Sequence, residues 1–309
     1  MSSLKPSLIS VQEVTKSFMK KGAIGGKDER FVVLGGVTFE LKRGSFTSVI
    51  GPSGCGKTTL FRIIDGLIRP DSGRVLFNGE PVSAPPPKMG FVFQQFGLLP
   101  WRTVLKNVEF GLELRGVDSG ERERVARKYV GIVGLKGFEN HYVHEISAGM
   151  QQRVGLARAL TIDPDVLLMD EPFASVDEQT RQILQKQLLQ IVKGTVQKTT
   201  LFVTHNVDEA IALSDEIVLL GNRPARVKEV VSVNLPPERW TYDIRSDPEY
   251  GRLWQKIWKF LEDEIMKTGG FGSVPSQSTP LRIAPAATSH PSLPGRASEP
   301  QSNDIQKRV

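Results

Sequence analysis

The sequence predicts an α/β fold: a mostly parallel sheet covered by helices, with antiparallel strands ahead of it and a helical insert within it. Three observations predict this. In the second half, short β-rich runs alternate with segments of helical spacing, the order that builds a parallel sheet. Near the start, two long apolar/polar alternations flank a polar, glycine-rich tip, which is the pattern of a hairpin. Between these parts, residues 103–137 have helical periodicity and no strand signal.

The elements follow in order. Residues 8–18 alternate and read as a strand. Residues 19–30, rich in Gly, Lys and Asp, form an exposed tip before a second strand, 31–41. Residues 46–50 are a short strand that stops at glycine. Residues 58–67 place Leu60, Ile63, Ile64 and Leu67 on one helical face. A strand at 73–79 follows a Pro-Asp-Ser-Gly turn. The prolines of 84–87 mark a loop, and residues 90–93 are a strand that ends at Gln94. Within the helical insert, residues 119–133 make a charged helix. Residues 147–160 make another, with Ser147 as its N-cap. Residues 166–169 are wholly apolar and suit a buried parallel strand. Helices at 177–192 and 207–213 alternate with strands at 199–204, 217–220 and 227–233.

Residues 236–267 carry Trp240, Tyr242, Tyr250, Trp254, Trp258 and Phe260, with Leu253, Ile257, Phe260 and Leu261 at helical spacing. They predict an amphipathic helix packed on its own domain or on a partner, the first being favoured. From 268 to 309, Gly, Pro, Ser and Thr dominate, and a disordered tail is expected.

The chain has 309 residues, 39% hydrophobic and 24% charged, enough for one large domain or two modest ones. No run approaches the ~18–20 apolar residues of a membrane span, and the first ten residues lack a signal-like apolar core. A cytoplasmic chain that does not cross the bilayer is expected. Cys55 is the sole cysteine, which excludes an intrachain disulfide and a multi-cysteine zinc site. The net charge of +6 reads as a solvated surface rather than as a nucleic-acid or lipid footprint.

The strongest chemical motif is Gly51-Pro52-Ser53-Gly54-Cys55-Gly56-Lys57-Thr58, followed by Thr59 and set between a strand and a helix. A polyphosphate needs several N–H donors converging on it with little steric bulk. Glycines give the clearance, and the helix N-terminus adds its positive end. Lys57 would reach the β- and γ-phosphates of a nucleotide, and Thr58 would ligate Mg²⁺. Cys55, ahead of a helix N-terminus, is expected to favour its thiolate and to be protected from alkylation by ATP.

Asp170 and Glu171 end the apolar strand 166–169, where α/β folds bind ligands. Asp170 can hold Mg²⁺, directly or through water, and Glu171 lies near the place of an attacking water. Gln94 and His205 end two further strands. A lone histidine is more often a structural hydrogen-bonder, but at a strand end beside a γ-phosphate a functional role is favoured. Four strand termini thus direct groups to one place.

With these residues, the chain resembles the ABC ATPase family from about residue 8 to 235. Ile146-Ser-Ala-Gly-Met-Gln-Gln-Arg-Val154 is similar to the family signature, just ahead of the Asp170 strand. The resemblance implies a P-loop NTPase fold, a RecA-like mostly parallel sheet with an antiparallel β subdomain and an inserted α-helical subdomain at about 96–146. It implies that Ser147 and Gly149 bind the γ-phosphate of ATP held by a second copy of the chain. Phe18 falls where an aromatic stacks on adenine, although a strand-core role competes with this. Gln94 matches a Mg²⁺ or water ligand that relays to membrane subunits. Asp177 would face the partner copy, and His205 would contact the γ-phosphate. The chain departs from the family at Ala148, where glycine is usual, and at Asn206, where aspartate is common. Helical φ suits alanine, so tolerance at Ala148 is expected.

Gly97-Leu-Leu-Pro-Trp101 resembles the nitrate/sulfonate/taurine importer subfamily, and the aromatic extension after Pro236 fits the same group. That implies a peripheral subunit on the cytoplasmic face of the inner membrane, with an integral permease as partner and a solute-binding protein as an indirect one. Residues 96–102 are the candidate permease surface, in competition with internal packing of Leu98 and Trp101. A division into 1–235, 236–267 and 268–309 follows. The rival reading is a soluble ABC ATPase acting on nucleic acid or ribosomes. Such proteins show paired cassettes, coiled coils or zinc inserts, none of which is visible, so no nucleic-acid partner is expected.

Overall fold

The structure is a computed structural model and describes residues 7–20, 28–93, 97–174, 176–236 and 238–267. The strands are β1 (Ser7–Lys20), β2 (Glu29–Lys42), β3 (Phe46–Ile50), β4 (Ser72–Phe77), β5 (Glu80–Pro81), β6 (Met89–Val92), β7 (Val166–Asp170), β8 (Thr199–Thr204), β9 (Glu216–Leu220) and β10 (Val227–Ser232). The helices are α1 (Lys57–Ile64), α2 (Val104–Leu114), α3 (Ser119–Ile132), α4 (Ala148–Thr161), α5 (Glu178–Leu189), α6 (Val207–Leu213) and α7 (Pro248–Lys267). A π-helical stretch, Gln190–Thr195, continues α5.

Two sheets result. One is antiparallel with order β2-β1-β4-β5, and the other has order β10-β9-β3-β8-β7-β6. In the second, β9, β3, β8, β7 and β6 run parallel and β10 closes one edge antiparallel. The centre of this sheet is buried on both faces, and the side chains divide with period two. Phe46, Leu167, Met169 and Phe202 join the core under α2, α3, α4 and α5. Val49, Val166, Leu168, Leu201 and Val203 join a second core beneath α1 and the antiparallel sheet. The phosphate loop leaves β3 at the centre of this sheet, between β8 and β9.

α7 buries Leu253, Ile257 and Leu261 against Val207 and Ile211 of α6 and against Ile217, Leu219 and Val231 of the sheet edge. It packs on its own chain, and Trp258 stays half exposed. It starts at Pro248, later than the aromatic stretch suggests, after a turn containing a 3-10 segment. α1 ends at Ile64 because Gly66 takes φ +75°, and Leu67 is then exposed rather than on the buried face. The insert is interrupted between α2 and α3, where Gly116 has φ +71°. The tail 268–309 lies outside the described residues. No helix among the described residues is long and apolar enough to cross a membrane.

Candidate active site

β3 delivers the phosphate loop at Gly51. A Cβ there would sit 2.4 Å from the Leu220 carbonyl oxygen, so a side chain is excluded. Gly54 and Gly56 take φ +74° and +122°, and a Cβ at Gly56 would meet Val33 Cγ1 at 2.7 Å. These constraints turn the chain sharply into α1. The amides of Lys57, Thr58 and Thr59 then have no acceptor one turn earlier and are available to a ligand. Lys57 is 6% exposed. Its ammonium donates to the carbonyls of Gly51 at 2.9 Å and Pro52 at 3.0 Å, which sets it over the loop. Ser53, Gly54, Gly56, Lys57, Thr58, Thr59, Glu171 and His205 line one cleft of about 390 Å³, together with Arg223.

β7 brings the carboxylates. Burial pushes the Asp170 carboxyl up and Glu171 adds to this, while the neighbouring Thr58 hydroxyl opposes the rise. Glu171 takes left-handed φ +45°, and its N–H donates to the Val203 carbonyl at 3.0 Å. That bend carries its side chain out of the sheet. Glu171 Oε2 lies 3.1 Å from Nδ1 of His205 at the end of β8. Beneath His205, the Thr204 hydroxyl donates to the buried Glu209 carboxylate and accepts from the Asn206 N–H at 3.0 Å. Asn206 caps α6 by accepting the Glu209 N–H at 3.1 Å. Burial pushes the Glu209 carboxyl up, and Arg181 Nε stands 3.6 Å away. Glu209 and Arg181 escaped the sequence reading because their positions carry no motif. A buried glutamate four residues beyond a candidate histidine was the available signal.

Cys55 corrects an expectation. It is 2% exposed in the apolar core, and burial pushes its thiol up, against the smaller opposing pull of Lys57. The thiolate is therefore disfavoured although a helix N-terminus follows it. Trp101 is 71% exposed, so internal packing fails for it, whereas Leu98 packs partly on the core. Phe18 is 36% exposed rather than a core residue, with its ring 6.1 Å from that of Phe31. Gln94 lies outside the described residues.

Ser147 N-caps α4, its hydroxyl accepting the Met150 N–H at 3.3 Å. Ala148 begins that helix without a left-handed φ, so alanine is unstrained there. Asp177 N-caps α5 by accepting the Thr180 N–H at 3.0 Å, a bond that holds its carboxyl low. Ser147, Gly149, Asp177 and Phe18 do not line the Lys57 cleft.

A family profile described as ABC transporter matches residues 34–174. An uncharacterized ABC transporter ATP-binding protein of Methanocaldococcus jannaschii is 48% identical over 84% of this chain and 93% of its own length. The chain belongs to the ABC transporter ATP-binding family. A taurine import ATP-binding protein of Yersinia pestis is 45% identical over 69% of this chain and 85% of that one. An aliphatic sulfonates import ATP-binding protein of Bacillus cereus is 45% identical over 75% and 88%. A solved ATP-binding cassette, dimeric in a post-hydrolysis state with ADP and Pi, superposes with TM-score 0.62 at 30% identity, covering 74% of this chain and 100% of that one. As a member of the ABC family, the chain is an ATP hydrolase built on the P-loop NTPase fold.

Proposed function

We propose that this chain is the ATP-hydrolysing subunit of a bacterial importer, that it acts as a pair of copies beneath a separate permease, and that the imported solute is a small anion of the sulfonate or nitrate class. The observation that carries the catalytic part is the meeting of Glu171 and His205 over the same cleft as Lys57 and Thr58. Lys57 and the α1 amides bind the phosphates. Glu171 orients the attacking water and accepts its proton, and His205, in contact with Glu171, reaches the γ-phosphoryl group beside it. Thr58 and Asp170 fit Mg²⁺ as a neighbouring hydroxyl and carboxylate, a donor pair that substrate phosphates and water would complete. When bound, Mg²⁺ offsets charge on the β- and γ-phosphates.

Ser147 and Gly149 stand at a capped helix N-terminus outside their own chain's cleft, which supports their use on the nucleotide of a second copy. Asp177 faces that copy, and Phe18 stacks on adenine. The permease surface centres on exposed Trp101, and the chain sits peripherally at the cytoplasmic face of the membrane. The taurine and sulfonate import relatives support the importer role and the solute class. Affinity-tagged chain, extracted in detergent from its native cells, is expected to retain an integral permease, and Trp101→Ala to lose it while keeping ATPase activity. Retention of nucleic acid or ribosomes with no permease would sink the importer reading.

A further inference from the structure

We infer that Arg223 is a nucleotide-binding side chain that takes the polyphosphate of ATP at the rim of the phosphate loop, and that α7 holds it there through Glu264 and Asn222. The inference rests on the reading of the Lys57 cleft as the ATP site.

Arg223 lies in the turn between β9 and β10, remote in sequence from every motif, yet it lines the same cleft as Lys57, Thr58 and Glu171. Its Nε donates to the Gly54 carbonyl. Its guanidinium carbon is 5.8 Å from the centre of the Phe31 ring, which neighbours Phe18. The guanidinium therefore spans the gap from the phosphate loop to the aromatic pair. Arg30, Arg102, Arg181 and Arg239 each pair with a carboxylate. Among the described residues Arg223 has no such partner, and its two Nη groups have no protein acceptor. A planar fork of donors without an acid to neutralise it, facing a phosphate-binding loop, suits a phosphate oxygen pair.

The turn that carries Arg223 is tied on both sides. Toward β2, Ala225 N–H donates to the Val33 carbonyl and Gly35 N–H donates to the Ala225 carbonyl, both at 2.8 Å. Toward α7, Asn222 N–H donates to Glu264 Oε2 at 2.7 Å, and its side-chain amide donates to the Glu264 carbonyl. Glu264 is 3% exposed. A Cβ on Gly221 would come within 3.0 Å of that carboxylate oxygen, so glycine lets the helix and the turn approach closely. A buried carboxylate fastened to a backbone amide fixes the turn in position, and Glu264 is on this view a positioning residue. The C-terminal helix thereby bears on nucleotide affinity without touching nucleotide.

The test is fluorescence titration with mant-ADP, at a protein concentration where sedimentation shows single copies, together with steady-state ATPase kinetics at a concentration where pairing is saturated. Arg223→Ala is expected to weaken mant-ADP binding about tenfold and to raise KM for ATP similarly, with kcat held within about twofold. Arg223→Lys should lose less. Glu264→Ala should raise KM by a smaller factor, and Glu264→Gln, which still accepts from Asn222, should restore it. Asn222→Ala, which leaves the α7 core intact, gives the same readout should Glu264→Ala fold poorly. Unchanged mant-ADP affinity in Arg223→Ala, or a loss confined to ATP-driven association of two copies, overturns the assignment. Equal KM in wild type, Glu264→Ala and Asn222→Ala overturns the positioning role. Lys57→Ala tests the cleft separately: if it binds mant-ADP as wild type does, the ATP-site reading fails rather than the role of Arg223.

Discussion

Glu171→Gln separates catalysis from structure. The change is isosteric, and the glutamine amide still reaches His205 at the 3.1 Å contact. The side chains of the pair are 23% and 57% exposed. An interaction that open to water contributes about 0–1 kcal/mol to stability, so the variant should melt within ~2–4 °C of wild type. The left-handed backbone at position 171 is held by its N–H on the Val203 carbonyl, which the substitution leaves alone. What is lost is the proposed proton acceptor. General-base catalysis contributes about 10²–10⁴-fold, so the barrier should rise by roughly 2.7–5.4 kcal/mol. The expected outcome is intact melting, intact mant-ATP binding and phosphate release slowed at least ~100-fold in single turnover. Hydrolysis within about threefold of wild type would refute the base assignment. So would a slow variant whose melting temperature has dropped by ~10 °C or more, since the loss would then be structural.

Three other substitutions or modifications probe the surroundings. Burial lifts the Asp65 carboxyl to about 6, so between about pH 4 and 6 the folded chain keeps a proton that the unfolded chain has lost. Stability therefore falls as pH rises through that window and stays lower above it. Asp65→Asn should gain roughly 1–3 kcal/mol near about pH 8 and almost nothing near about pH 3.5, read from urea melts at both; a gain at the lower pH only would refute this. Leu253→Ala, at 0% exposure in α7, should cost about 2–5 kcal/mol in the same melts, and a cost below ~1 kcal/mol would mean that the helix is not part of the core. Native Cys55 should react with maleimide at least ~100-fold slower than in urea, as its burial and raised thiol pKa require, whereas fast native labelling would contradict that burial.

What was legible in the sequence was local. The strand ends at Asp170 and His205, the cap at Ser147 and the loop at 51–58 each combine a backbone demand with a side-chain identity a few residues apart. β8 was legible because its burial on two faces leaves an unbroken apolar or β-branched run, and β3 because only Ser48 interrupts such a run. The rest depended on contacts distant in sequence. Cys55 stood in a recognised loop, but its thiol chemistry follows from the core packed around it, and that core draws on β1, β2 and β9. Glu209 gains meaning only from Thr204 and Arg181, and Arg223 only from Gly54. Leu67 followed the helical period, but the left-handed glycine at 66 ended the helix first.

The capped start of α4, standing apart from the cleft that Lys57 lines, bears on the order of the reaction. On the proposed pairing, a chain that carries the phosphate loop in one place and Ser147 in another holds two complementary halves that do not meet within one molecule. Hydrolysis then depends on encounter: for the isolated subunit, velocity should climb with the square of protein concentration until pairing saturates. A permease that kept two copies side by side would remove that dilution penalty. On that proposal the subunit would be quiet when alone and competent when assembled, so that geometry would suppress wasteful ATP consumption before any regulator acts.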